Sequence, residues 1–255
     1  MLPTLHDVLN SASSASRIQH ASKSIIKELK ITDSFDIQAS GRLDMGLQYH
    51  FYMEPQTTIV IPFEGGYQVH CATQWMDLIQ LVLANFLNIK NNEVQVQVRR
   101  LGGGYGGKAT RCNLAACAAA LAAYKLNRPV RFVQSLESMM NILGKRWGCL
   151  VEYDFHVKNS GKIVAINSRF YEDAGYLPNE SPLGHTVLLS KNCYEFSDNY
   201  KLDGHIVLTD SPSNTPCRAS GSVEGIALIE NIIEQIAFET GQDPVDVRLA
   251  NLLPV

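Results

Sequence analysis

The 255-residue sequence is poor in charge, and this excludes several classes of protein. Charged residues make up 18% of the chain, below the quarter or so that is usual for globular proteins. The 22 basic and 25 acidic residues leave a net charge of −3, which gives no general electrostatic attraction for nucleic acid or anionic lipid. The sequence also lacks a run of roughly 18 apolar residues, the length that spans a bilayer. We therefore expect neither a nucleic-acid partner nor a membrane.

Metal-binding cysteine patterns are missing as well. The six cysteines are irregularly spaced and form neither C-x-x-C pairs nor Cys/His pairs at zinc spacing. In a chain of this length, such a pattern is typical of reduced and mostly buried thiols in a cytoplasmic protein. Residues 1–24 are polar and rich in Ser and Ala, without the apolar core of a secretory signal. We therefore expect a cytoplasmic location, and neither zinc nor an iron–sulfur cluster on this chain.

The hydrophobic residues, 45% of the chain, exclude intrinsic disorder, and their spacing predicts a mixture of strands and helices. Strands are predicted at 36–40, 57–62, 67–71, 94–98, 129–134, 148–157, 163–171 and 203–208. Helices are predicted at 74–87, 114–126, 222–239, after Asp243, and on a face formed by Ile18, Ile25, Ile26 and Leu29. The helix at 114–126 is apolar nearly all round and is expected to be buried on most sides. Residues 173–184, with Gly, Pro and Asn throughout, are predicted to form a loop. Because the elements do not alternate as strict βαβ units, the pattern favours an α+β fold with mixed sheets and packed helices. No repeat or low-complexity linker divides the chain.

The strongest chemical signal is the glycine loop, Gly102–Lys108, with the sequence GGGYGGK. Glycine loses more conformational entropy on ordering than any other residue. A run of five in six positions therefore indicates a backbone that must approach something closely with its N–H groups. A tight turn requires only one or two glycines and explains the run poorly.

Two nucleotide-binding motifs fit the glycine loop in part. Gly102, Gly104 and Gly107 satisfy the G-x-G-x-x-G of an NAD-binding Rossmann fold, but the acidic residue expected about 20 positions later is missing. Gly102, Gly107 and Lys108 satisfy the G-x-x-x-x-G-K of a phosphate loop, but Ala109 stands where Ser or Thr must hold Mg²⁺. Both motifs remain weak alternatives.

The glycine loop resembles the G-G-G-F-G-G-K loop of xanthine dehydrogenases and aldehyde oxidases, the molybdenum hydroxylases. Residues 47–54, LQYHFYME, resemble their G-Q-E-H-F-Y-L-E segment, and residues 213–221, SNTPCRASG, resemble their S-N-T-x-x-R-x-x-G segment. The three matches occur in the family's order, and the similarity extends over roughly residues 30–253. The residues around Cys217, PCRASG, most resemble those of insect-type aldehyde oxidases.

This resemblance implies a molybdopterin-binding type of fold and a molybdenum–molybdopterin cofactor. Gln48 matches the glutamine that hydrogen-bonds an oxo ligand of the metal, a contact that an amide makes without adding charge. Gly104, Tyr105 and Gly106 match loop residues whose backbone packs against the molybdenum centre, where consecutive N–H groups suit an anionic cofactor. Arg218 matches an arginine beside the metal. The resemblance therefore implies that Gln48, Tyr105 and Arg218 lie close to molybdenum, around its ligands.

Three positions depart from the purine-oxidising members of the family. Ala109 stands where they carry a glutamate, and Ser220 stands where the family has an aromatic residue. His185 occupies the place of their arginine, counting back from the N-C-Y segment at residues 192–194. A carboxylate and a guanidinium would hold a purine by charge-assisted hydrogen bonds. Their loss implies a substrate pocket for an aldehyde or an N-heterocycle, with a xanthine dehydrogenase-like purine hydroxylase as the alternative.

Members of the family oxidise aldehydes to carboxylic acids with water as the oxygen source, and the full-length enzymes are homodimers that also carry FAD and two [2Fe–2S] clusters. The motifs of those cofactors, and the C-terminal domain with the general-base glutamate, are not visible in this sequence, so we assign no catalytic residue to it. We predict a remnant of a preceding region at residues 1–30 and the first molybdopterin-binding domain at 31–255, inactive when made alone. An inactive domain that keeps the fold without the cofactor is the non-enzymatic alternative.

Overall fold

The computed structural model describes residues 1–22, 29, 31, 33–195 and 199–254. Its contacts divide the chain into two compact units that are interleaved along the sequence. The first unit comprises Met1–Leu47, Trp147–Ser211 and Ala219–Val255, and the second comprises Gln48–Arg146 and Pro212–Arg218. Because each unit is assembled from segments distant in sequence, no single linker separates them.

Strands and helices follow one another irregularly along the described chain. The strands are β1 (Ile18–Ser22), β2 (Ile37–Met45), β3 (Thr57–Phe63), β4 (Gly66–Cys71), β5 (Val94–Gln97), β6 (Val130–Val133), β7 (Cys149–Val157), β8 (Ile163–Gly175) and β9 (Tyr200–Leu208). The helices are α1 (Leu5–Leu9), α2 (Ser14–Arg17), α3 (Met76–Leu87), α4 (Cys112–Leu126), α5 (Leu136–Ile142), α6 (Leu183–Leu189), α7 (Ser222–Thr240) and α8 (Pro244–Asn251).

The first unit is built on a five-stranded mixed sheet in the order β1-β9-β8-β7-β2. Strands β8 and β9 pair in parallel, whereas the other neighbours pair antiparallel. Helix α7 contributes to the core of this unit a row of isoleucines at helical spacing, Ile229, Ile232, Ile233 and Ile236, none of which is exposed. The described part of the chain contains no helix with the length and apolar character needed to cross a membrane.

The second unit is built on a four-stranded sheet in the order β5-β4-β3-β6. Strands β3 and β4 form an antiparallel hairpin around Gly65 and Gly66, and β5 adds to β4 in parallel. Helices α3 and α4 pack with the sheet around a core that includes Val60, Val69 and Ile79. The glycine loop connects the end of β5 to the start of α4, so this core fixes both of its ends.

The α+β fold class predicted from the sequence is confirmed. The predicted hairpin, the strand pair β7–β8, and helices α3, α7 and α8 are all present with small shifts of their bounds. All six cysteines are free thiols, and four of them are buried, as the sequence predicted.

Three local predictions were wrong. Ile18 begins strand β1 rather than belonging to a helix, and Ile25 and Ile26 lie outside the described residues. Helix α4 is not buried on most sides: its alanines face the core, while Leu114 and Leu126 are 56% and 64% exposed. A face of small side chains lets the helix lie close to the sheet, which turns its leucines outward. The region 173–184, predicted as a loop, contains the end of β8 and the start of α6.

Candidate functional site

Hydrogen bonds within the second unit hold the glycine loop in place. The side-chain oxygen Oε1 of Gln74 accepts the N–H groups of Gly106 and Lys108 at 3.0 and 3.2 Å. The backbone N–H of Gln74 in turn donates to the Lys108 carbonyl at 2.8 Å. The N–H of Gly107 closes a turn onto the Gly104 carbonyl at 2.8 Å. These bonds fix the conformation of the loop and occupy the N–H groups of Gly106, Gly107 and Lys108.

Close packing within the second unit explains several of the glycines. Gly106 has φ +98°, and a Cβ there would overlap the Pro216 carbonyl oxygen. A Cβ on Gly104 would lie 2.5 Å from Gln74 Oε1, and one on Gly107 would lie 2.8 Å from the His50 ring. The close approach that the sequence predicted is therefore made, at these positions, by other parts of the second unit.

Three consecutive N–H groups of the glycine loop nevertheless remain unused. Within the described residues, the N–H groups of Gly103, Gly104 and Tyr105 donate to no acceptor of the protein. Gly103 and Tyr105 have φ values of +94° and +50°, in the left-handed region. Successive N–H groups in such a conformation converge into a concavity that suits an anion. We call this stretch, residues 103–105, the free-amide segment.

Lys108, the last residue of the glycine loop, points into the protein. Its side chain is fully buried, bonds Glu54 Oε2 at 2.7 Å and lies 4.6 Å above the Tyr52 ring. Burial raises the pKa of Glu54, but the hydrogen bonds from Lys108 and the Gly102 N–H outweigh it and hold that pKa below its usual value. Lys108 is thus a structural cation, and the phosphate-loop alternative loses the residue that would contact a phosphate.

Gln48, Tyr105 and Arg218, which the resemblance implies near molybdenum, are brought together by a fourth residue, Arg146. The Arg146 guanidinium donates from Nε to Gln48 Oε1 at 2.8 Å and from Nη2 to the Arg218 carbonyl at 2.7 Å. The Arg218 N–H donates to the Tyr105 carbonyl at 2.9 Å. These four residues, Gln48, Tyr105, Arg146 and Arg218, form one hydrogen-bonded group that we call the arginine-centred cluster.

The outer side of the arginine-centred cluster is open. Gln48, Tyr105 and Arg218 are exposed, whereas Arg146 is only 5% exposed. Within the described part of the chain, the Gln48 amide nitrogen and the Arg218 guanidinium have no protein partner. Tyr105 is 47% exposed, so the hydroxyl that distinguishes it from the family's usual phenylalanine does not require a partner within the protein. The cluster therefore presents one amide donor and one cation at the surface of the second unit.

His50 ties the segment at 212–218 to the second unit. Its Nε2 lies 2.9 Å from the Pro216 carbonyl oxygen. Burial lowers the pKa of His50, and the Arg146 charge adds to this although the hydrogen bond to Pro216 opposes it. With its proton on Nε2, His50 donates to that carbonyl, which positions the backbone two residues before Arg218.

The three residues implied in the substrate pocket fall in different units. Ala109 lies in the second unit, directly after the glycine loop, where its N–H donates to the Gly106 carbonyl at 3.1 Å. His185 and Ser220 lie in the first unit. There His185, on α6, packs against Gly221, because a Cβ on that glycine would lie 2.6 Å from the Cβ of His185. The first unit thus places His185 beside the residue that follows Ser220.

Sequence reasoning missed the two side chains that hold this site together, Arg146 and Gln74. Each lies many positions from the residues that it bonds, so no local spacing indicates the contact. The burial of Arg146 requires partners for its guanidinium, but this burial becomes visible only in the folded structure.

A comparison with protein families matches residues 21–252 to the molybdopterin cofactor-binding domain. Among curated proteins, the chain is 32% identical over 233 residues to a xanthine dehydrogenase of Oryza sativa subsp. japonica, which covers 90% of this chain and 17% of that protein. It is 35% identical over 215 residues to an abscisic-aldehyde oxidase of Arabidopsis thaliana, which covers 84% of this chain and 16% of that protein. The chain thus spans about a sixth of the length of the curated relatives that it matches.

Solved structures show the same fold. The quinoline 2-oxidoreductase of Pseudomonas putida 86 superposes with a TM-score of 0.80 at 20% identity, covering 99% of this chain and 34% of that one. The aldehyde oxidoreductase of Desulfovibrio gigas superposes with a TM-score of 0.75 at 22% identity, covering 87% of this chain and 24% of that one.

Proposed function

The chain belongs to the molybdopterin cofactor-binding domains of the xanthine dehydrogenase and aldehyde oxidase family, and we propose that it forms the cofactor-facing part of an aldehyde oxidase-type oxidoreductase. The observation that carries the proposal is the arginine-centred cluster, which gathers the three residues implied near molybdenum on one unit. The proposed enzyme converts aldehydes to carboxylic acids, or hydroxylates N-heterocycles, with oxygen from water.

The residues of the arginine-centred cluster and of the free-amide segment have the chemistry that a molybdenum–molybdopterin group requires. The free-amide segment, 103–105, offers consecutive N–H donors to an anionic group. The Gln48 amide nitrogen donates without adding charge, and the Arg218 guanidinium adds a fixed cation. The residues present therefore fit the cofactor: Gln48, Tyr105 and Arg218 would hold the group on the side of the metal, and Gly104 and Gly106 would shape the backbone that receives it.

When bound, the molybdenum cofactor supplies the two-electron oxidation of the substrate. The chain's own residues bind and orient. Gln48 and the free-amide segment hold the cofactor by hydrogen bonds, while Arg218 stabilises negative charge on its outer side. No carboxylate of this chain is assigned as a proton acceptor. The general base, FAD and the two [2Fe–2S] clusters belong to other parts of the proposed full-length enzyme, a cytoplasmic homodimer, so the fragment alone is proposed to be inactive.

The three residues implied in the substrate pocket favour an aldehyde over a purine. The methyl side chain of Ala109 carries neither charge nor hydrogen-bond capacity, so it cannot hold the polar edge of xanthine. His185 and Ser220 likewise replace an arginine and an aromatic residue of the purine-oxidising members. Because xanthine dehydrogenases are among the relatives, a purine hydroxylase with altered anchors is the second candidate.

Two measurements on the full-length protein test the proposal. Molybdenum and pterin analysis of the purified protein is expected to find one cofactor for each chain, and a folded protein that never contains molybdenum would instead support the inactive-domain alternative. Turnover is then compared with an aldehyde and with xanthine. We expect activity with the aldehyde only, and an Ala109→Glu variant that gains xanthine turnover would support the role of this position. Faster turnover of xanthine than of any aldehyde in the unmodified enzyme would favour the purine hydroxylase.

A further inference from the structure

Arg146 belongs to none of the sequence motifs, yet its side chain bonds two of the residues that those motifs identify, Gln48 and Arg218. Its backbone N–H donates to the Gln48 carbonyl at 2.8 Å, and the two residues form an isolated antiparallel bridge. Its side chain adds the bonds to Gln48 Oε1 and to the Arg218 carbonyl. A planar guanidinium donates in fixed directions, so these bonds specify orientation as well as distance.

The bond to Oε1 decides which end of the Gln48 amide faces outward. An amide group has an accepting oxygen and a donating nitrogen, and the hydrogen-bond network around it determines which way it points. A guanidinium has donors only, so the oxygen must face Arg146. The nitrogen then faces away, and within the described part of the chain it meets no protein acceptor.

We propose that Arg146 is the positioning residue of this site, and that it orients the Gln48 amide so that its nitrogen is the outward donor. Without this bond, the amide would rotate freely and present its oxygen for part of the time, which would repel an electron-rich ligand. Through the Arg218 carbonyl, the same guanidinium fixes the backbone that carries the outward cation. The use of that donor toward a cofactor rests on the proposed function, whereas the orientation itself does not.

Nuclear magnetic resonance of the isotope-labelled 255-residue chain tests the orientation without any cofactor. In the unmodified protein we expect a scalar coupling across the hydrogen bond between Arg146 Nε and the Gln48 side-chain carbonyl carbon. We also expect the Gln48 NH₂ group to be rigid, with an order parameter of about 0.85, although it is exposed. Gln95 is the internal control, because it is an exposed glutamine on β5 whose side chain makes no hydrogen bond to the described residues. Its NH₂ group should be mobile, with an order parameter below about 0.6.

Variants then separate orientation from general stability. In Arg146→Lys, which keeps the charge but loses the planar fork, the Gln48 order parameter should fall to that of Gln95. Arg128→Lys, at an exposed arginine after α4, should change neither value. Gln48→Glu keeps an acceptor for Arg146, so the Arg146 Nε–H should stay protected from exchange with water. In Gln48→Ala the acceptor is lost, and the Arg146 Nε–H should exchange faster.

The proposal is overturned if the coupling is absent in the unmodified chain, a result that requires no variant to fold. It is also overturned if Gln48 is as rigid in folded Arg146→Lys as in the unmodified protein. These failures differ from failure of the proposed function. An ordered Gln48 in a full-length protein without molybdenum would contradict the proposed function alone, and a mobile Gln48 in a molybdenum-containing protein would contradict only the role of Arg146.

Discussion

Replacing Glu172 by glutamine should remove a large part of the pH dependence of the first unit's stability. Glu172, on β8, is fully buried, and its Oε1 accepts the Thr186 hydroxyl at 2.9 Å. Its Oε2 has no hydrogen-bond partner among the described residues. Burial raises the pKa of Glu172 to about 8, and the neighbouring Glu224 adds to this although the Thr186 bond opposes it. The folded protein therefore holds this side chain protonated at pH 7.

The sign and size of the effect follow from linkage. In the unfolded chain the pKa returns to 4.5, so folding at pH 7 requires Glu172 to take up a proton. One pKa unit corresponds to about 1.4 kcal/mol, so this uptake costs about 3 kcal/mol at pH 7. The contribution of Glu172 to the free energy of unfolding is fully present below pH 4.5 and decreases as the pH rises. Its loss is complete above about pH 8.

Unfolding in urea at pH 5 and pH 7, followed by tryptophan fluorescence, measures the difference. Trp147 is buried in the first unit, so a Trp75→Phe background makes the signal report on that unit. From pH 5 to pH 7, the free energy of unfolding of the parent should decrease by about 2–3 kcal/mol more than that of Glu172→Gln. Glu239→Gln, at an exposed position of α7, should follow the parent. Parallel pH profiles for the parent and Glu172→Gln would refute the reasoning, because they would mean that Glu172 is ionised in the folded protein.

Three further predictions concern the second unit and the surface thiol. Gly106→Ala should destabilise the second unit by at least about 2 kcal/mol in urea unfolding, because it adds a Cβ against a carbonyl oxygen at positive φ. The control Gly46→Ala, whose Cβ meets nothing within 4 Å, should cost under about 0.5 kcal/mol. Equal losses of stability in the two variants would contradict the packing argument. Lys108→Met should cost about 1.5–3 kcal/mol, the range for a hydrogen bond to a charged group, because among the described residues it leaves Glu54 with the Gly102 N–H as its remaining donor, and adding Glu54→Gln should restore most of the loss, so additive losses would be evidence against the pair. Cys193, the exposed cysteine of the six, should react with a thiol reagent well before the others in the native protein, and rapid reaction of two or more thiols would contradict the described burial.

Much of the local structure could be predicted because its signals are local. The hairpin β3–β4 follows from two apolar runs around a glycine turn, and α8 follows from Asp243 at its N-cap with Pro244 in the first turn. The short helices α5 and α6 were missed because neither carries enough periodic residues to form a pattern. Strand β1 was missed because Ile18 becomes a strand residue only through pairing with β9, almost 190 positions later.

The sequence by itself determined the fold class, the glycine loop and the identities of Gln48, Tyr105 and Arg218 as candidate site residues. Only the tertiary structure decided that a fourth residue, Arg146, bonds Gln48 and Arg218, and that Lys108 faces inward to Glu54. The physical reason is that motifs record residues close in sequence, whereas the directions of donors and acceptors are set by partners that folding brings from distant segments. A single guanidinium can thus orient a site without belonging to any motif.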